Sequence, residues 1–137
     1  MIINFEDITE ELNEYELGTL LPVFIAGMRR HIGRKNAIKT KYICSHLTAQ
    51  GLKITPARVR KLVHFVRCNP NLPGSQYLKP LPGIIIGTSD GYFLSQDKEE
   101  IERCILSNKQ RVRSIQEIVD GMEIHLFNLI GEKIVKA

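Results

Sequence analysis

A mainly helical domain closed by one small β-hairpin, with a long helix after it, is the fold class this sequence predicts. Three observations carry that expectation. Apolar residues recur at helical spacing in three segments before residue 69. Two apolar runs, GIIIGT (83–88) and YFLS (92–95), flank Ser89-Asp90-Gly91, the pattern of a hairpin with an Asp-Gly turn. From about residue 97 to 129, apolar side chains repeat at alternating spacings of four and three. At 137 residues, 43% of them hydrophobic, the chain suits one cored domain with an appended element.

The first helix has a capping box, in which Asn13 caps and Glu16, three residues on, reaches back to it. Leu12 and Leu17 fit a hydrophobic staple across the cap. The pattern then runs toward Ile32, with Gly33 placed to end it. Pro22 lies inside this run and removes a backbone donor, which predicts a kink near Gly18 and Thr19. Residues 36–39 read as a short extended stretch. Thr40 is the expected cap of a second helix over 41–50, with Ile43, Leu47 and Cys44 turned inward and Gly51 closing it. Thr55-Pro56 pairs a hydroxyl cap with proline at the first helical position, so a third helix is expected over 56–68. Two short helices across a Gly-led connection form a helix-turn-helix. Four prolines in 69–82 make that stretch a loop.

The final helix is expected to start at an Asp97 cap with Glu100 closing its box. Ile101, Ile105, Asn108, Val112, Ile115, Val119, Met122, Leu126 and Leu129 form a heptad seam. A single Asn in such a seam fixes register and favours two strands. A homodimer through residues 97–129 follows as the expected assembly, in which Ile101, Ile105, Asn108, Val112, Ile115, Val119 and Met122 carry the interface. The sequence thus divides into an acidic segment (1–13), a basic helical domain with its hairpin (14–95) and a dimerisation helix (96–137).

Charge is the main functional signal. The net +4 conceals a middle, residues 17–89, with twelve Lys and Arg and no acid, after six acids in residues 1–16. Such a surface repels itself unless a polyanion or an acidic partner relieves it. The third helix, PARVRKLVHFVR, sets Val59, Leu62, Val63 and Val66 on one arc and Arg60, Lys61 and His64 on the other, with Arg58 and Arg67 on the flanks. A helix that reads the major groove needs an apolar back and long cationic or hydrogen-bonding side chains in front. Thr40, Lys41, Arg34 and Lys35 surround the start of the second helix, the element that crosses the phosphate backbone in such motifs. Thr55 joins this set at the start of the third helix. The expected DNA-contacting residues are therefore Arg34, Lys35, Thr40, Lys41, Thr55, Arg58, Arg60, Lys61, His64 and Arg67. Asp90, in the hairpin turn, should repel phosphate.

Other chemistry lacks its residues. There is no Gly-rich phosphate loop and no acid in 17–89 to chelate magnesium for nuclease work, so a protein without catalysis or cofactor is expected. Cys44, Cys68 and Cys104 are odd in number and form no CxxC, which fits small buried groups in a reducing cytoplasm rather than disulfides or a metal site. No apolar run approaches the roughly 20 residues of a membrane span, the acidic N-terminus does not read as a secretory signal, and no small-molecule ligand is evident.

On the residues just quoted, 14–95 resembles the winged-helix superfamily, with TPARVRKLVHFVR as recognition helix and GIIIGTSDGYFLS as wing. The run GYFLSQDKEEIERCILS…RVRSI is also similar to small winged-helix proteins of bacterial phages and mobile elements. The resemblance implies double-stranded DNA as partner and a role in regulation or replication. The proline-rich loop departs from the compact pattern of that superfamily. The competing expectation is an interaction module whose basic surface holds an acidic protein, and segment 1–16 is itself a candidate strap over that surface.

Overall fold

The computed structural model describes residues 11–70 and 81–136, with side chains through residue 131. The acids before Glu11 and most of the proline-rich loop, including Lys79, lie outside the described residues. Two compact units are distinguished, residues 1–97 and 98–137.

The first unit begins with the predicted capping box. The Glu16 amide donates to Asn13 Oδ1 at 2.8 Å, and the Asn13 amide donates to Glu16 Oε1 at 3.0 Å. A π turn, Glu16–Leu20, leads directly into α1 (Leu21–Met28). The irregularity predicted near Gly18 and Thr19 is therefore this wider turn. It sits one turn ahead of Pro22, whose ring would crowd the Gly18 carbonyl in a regular helix. Of the two residues of the expected staple, Leu12 is buried and Leu17 is 41% exposed. The helix ends at Met28 rather than near Ile32. Residues 31–33 instead bond to the hairpin, and that pairing takes the backbone out of helical geometry.

A short 3-10 turn (Arg34–Asn36) leads to α2 (Thr40–Ala49). Thr40 is the first helical residue and not the cap. Lys39 holds the cap position, and no side chain caps this helix. The extended Ile38, bonded to the hairpin, sets the chain's entry one residue earlier than the sequence suggested. Gly51, at φ +79°, turns the chain out of α2. α3 (Pro56–Cys68) matches expectation at both ends, and the Thr55 hydroxyl accepts the Arg58 amide at 3.2 Å.

β1 (Ile84–Thr88) and β2 (Gly91–Ser95) pair antiparallel, Ile85 opposite Leu94 and Ile86 opposite Phe93. Phe93 is fully buried, and the half-buried Tyr92 packs on the core. β2 also binds the stretch between α1 and α2. Ile38 and Tyr92 exchange backbone bonds of 2.9 and 2.8 Å, Gly33 donates to Leu94 O at 2.9 Å, and Leu94 donates to His31 O at 2.7 Å. One core results, formed by Leu20, Phe24, Ile25 and Met28, by Ile43 and Leu47, by Val59, Leu62, Val63 and Val66, and by Ile85 and Leu94.

The second unit is α4 (Lys98–Lys136), 39 residues, hence about 58 Å at 1.5 Å per residue. It extends beyond the predicted end and passes through Gly121 without interruption. Of its seam, Ile101 is half-buried, and Ile105, Asn108, Val112, Ile115, Val119, Met122, Leu126 and Leu129 are exposed. Asn108 lies 3.9 Å from Cys104 Sγ. No helix is long and apolar enough to cross a membrane among the described residues.

Gly91 is the residue whose replacement tests this arrangement most sharply. Its φ is +115°, and a Cβ there would collide with the carbonyl of Ile38. Gly91→Ala should therefore lower stability by about 2–4 kcal/mol in urea unfolding. Gly18→Ala, where a Cβ meets open space, should be neutral or mildly stabilising.

Candidate nucleic-acid interface

The back of α3 is dry. Val59 and Leu62 are fully buried and Val63 is 2% exposed. The helix is thereby held with its other face outward, and that face presents Arg60 and His64 exposed and Lys61 half-buried. No hydrogen bond or ion pair within the protein engages Arg60 or Lys61 among the described residues. His64 Nε2 lies 3.6 Å from Cys68 Sγ, one turn on. These three side chains form one stripe with two cations, Arg60 and Lys61.

Three arginines expected at the interface have work inside the protein. Arg58 Nε donates to Glu16 Oε2 at 2.6 Å, its Nη2 donates to Glu16 Oε1, and Nη2 also reaches the Glu11 carbonyl at 3.1 Å. With side chains only 12% and 4% exposed, this bidentate pair is largely removed from water. It ties the π turn ahead of α1 to the first turn of α3. Arg67 Nε donates to the Ile85 carbonyl at 2.9 Å, which ties the end of α3 to β1. Arg34 Nε donates to Asp90 Oδ2 at 2.9 Å. Asp90, expected to repel phosphate, is therefore balanced by a cation across the turn. With both partners more than half exposed, that pair adds at most about 1 kcal/mol.

The remaining predicted residues cluster around the start of α2. Lys35 and Lys41 are exposed and Thr40 is half-buried. Lys41 Nζ lies 5.0 Å from the centre of the Tyr42 ring. Lys39, exposed at the cap position of α2, belongs with them. Thr55 serves as the cap of α3. The double duty of Glu16 was also missed. Its capping role was visible in the spacing Asn13-x-x-Glu16, but its partner lies 42 residues away, beyond any local pattern.

The Arg58 guanidinium, hydrogen-bonded to the Glu16 carboxylate, holds that group below its ordinary value. Burial opposes the shift, and the Asn13 amide and the charge of Arg58 add to it. Burial also pushes the Cys44 thiol up, with its own backbone hydrogen bond opposing; this suits a packing residue rather than a reactive thiolate. Among the described residues no three His, Cys, Asp or Glu side chains converge as a metal site.

Comparison with known proteins finds no matching family model, no similar curated protein and no similar solved structure.

Glu16→Gln should leave Arg58 without its charged partner and cost about 3 kcal/mol at pH 7. The lowered folded-state value also sets a pH signature. The stabilisation from Glu16 is complete above the unfolded-state value of about 4.3, and it is lost as pH falls through the lower folded value. Urea midpoints from pH 7 to 3 should show the gap between wild type and variant narrowing only below about pH 4.3. A constant gap across that range would exclude the pair as its source.

Proposed function

We propose that this chain is a winged-helix DNA-binding protein that acts without catalysis, as a transcriptional regulator or as an accessory factor of a phage or mobile element, in a bacterial cytoplasm. The stripe of Arg60, Lys61 and His64 on a helix whose back is dry is the observation that carries this reading. A groove-reading helix needs a rigid apolar anchor and long donors that are not already committed. Arg60 is suited to two-pronged contact with guanine, and Lys61 and His64 to phosphate or base edges.

Lys35, Lys39 and Lys41 with the Thr40 hydroxyl supply backbone contacts beside it, where the N-terminal dipole of α2 adds to them. Arg58, Arg67, Arg34 and Thr55 position the reader rather than touch DNA. The hairpin is the wing, and the Arg34–Asp90 pair removes most of the repulsion at its tip. An acidic protein could take the place of DNA on the same surface, and the same assay distinguishes the two.

Labelled mixed-sequence duplex should bind in anisotropy titrations, with log affinity falling linearly against log salt. Arg60→Glu with Lys61→Glu should weaken binding at least about thirtyfold, as lost and reversed phosphate and base contacts require, without moving the urea midpoint. Binding that survives this change would remove α3 as the reader. No binding even at low salt would favour the acidic-protein reading.

The proposed assembly is a homodimer through α4, whose exposed seam from Ile105 to Met122 offers apolar side chains at heptad spacing with Asn108 among them. Ile115→Asp should convert dimer to monomer in sedimentation velocity at micromolar concentration. An unchanged mass would eliminate the seam as the contact.

A further inference from the structure

We propose that the cavity between α1 and α2 is a binding site for a small amphipathic carboxylate, its tail against Phe24, Met28, Ile43 and Leu47 and its head on Arg30. The cavity measures about 270 Å³, close to the lower end of ligand pockets, and takes a ligand of about ten non-hydrogen atoms. Four of its apolar lining residues, Phe24, Met28, Ile43 and Leu47, are each at most 5% exposed and belong to the core, and the half-buried Val23 and Ile38 pack against that core. The polar lining is nitrogen-rich and has no acid: Arg30, His31, His46 and Gln50.

Arg30 is exposed, and no hydrogen bond or ion pair engages its guanidinium among the described residues. The neighbouring Arg29 is half-buried and has an interaction of its own. His31 Nδ1 lies 2.8 Å from the Asn36 carbonyl, so that nitrogen carries the proton and Nε2 is left for other contacts. A largely apolar pocket beside an uncommitted planar cation selects a ligand with one apolar end and one carboxylate. A nucleic-acid phosphate has no apolar part to fill the cavity. A cationic ligand would meet Arg30 with like charge, and a neutral one would gain only the weaker hydrogen bond of an uncharged acceptor. The site lies apart from the α3 stripe and does not rest on the DNA-binding reading.

Gly27 lines the same cavity, and a Cβ built on it meets no atom within 4 Å. Gly27→Leu therefore extends a side chain into free space without forcing the helix to move. The test is a titration of the full chain with sodium octanoate, followed by methyl and amide NMR, with 1-octanol as the uncharged control. Octanoate should give saturable shifts confined to Val23, Met28, Ile43 and Leu47 and their neighbours. Arg30→Gln should weaken octanoate about tenfold or more, the loss expected for a charged hydrogen bond, while leaving the weaker binding of octanol unchanged. Gly27→Leu should abolish both and leave the urea midpoint equal or higher. Four results would each overturn the proposal: shifts elsewhere or none, octanol binding as tightly as octanoate, an Arg30→Gln affinity equal to wild type, or undiminished binding to a folded Gly27→Leu chain.

Discussion

The backbone bonds between β2 and the stretch from His31 to Ile38 are the constraint on which the first unit depends. A two-stranded hairpin is marginal by itself in water. Here its inner strand gains a second set of partners on the free edge, Ile38 against Tyr92 and residues 31–33 against Leu94. The same bonds end α1 early, hold Ile38 extended and set where α2 begins. Gly91 is required because the Ile38 carbonyl stands where its Cβ would be. Once the hairpin is fixed there, Ile85 and Leu94 complete the core and the Ile85 carbonyl is in place to receive Arg67.

Within that frame the cations divide into two sets. Arg34, Arg58 and Arg67 each span two elements and find an oxygen inside the protein. Arg60 and Lys61, with the lysines around α2, have no such oxygen among the described residues, and residues 17–89 contain no carboxylate at all. The acids that do neutralise internal arginines, Glu16 and Asp90, stand immediately outside that stretch. Glu16 and Asp90 are thus each taken up by an arginine, Arg58 and Arg34.

Most of the fold was legible because its signals are local. The Asn13–Glu16 box, the Thr55-Pro56 start, the four valine and leucine residues of α3 and the Asp-Gly turn each state their role within a few residues. The misreadings share one cause, which is contact between distant parts of the chain. Thr40 looked like a cap until the pairing of Ile38 with Tyr92 moved the helix start. Ile32 looked helical until Leu94 claimed its neighbours. Arg58 and Arg67 carried the right charge for the reader stripe, but their partners, Glu16 and the Ile85 carbonyl, are visible only in three dimensions. The cavity between α1 and α2 had no sequence signature, since its walls are ordinary core residues and its cation belongs to a run of basic side chains.

The π turn ahead of α1 puts the two ends of one continuous helix out of phase. A regular helix advances 100° per residue, so a single extra residue in one turn rotates all that precedes it by about that angle. The end that holds Asn13 and Glu16 is thereby aimed at Arg58, while Leu21, Phe24, Ile25 and Met28 keep to the core. The helix start behaves as a one-residue insertion accommodated in place. Removing a residue from 17–19 would restore regular winding and turn Glu16 away from its arginine, so this short stretch is intolerant of length change although all three of its residues are exposed.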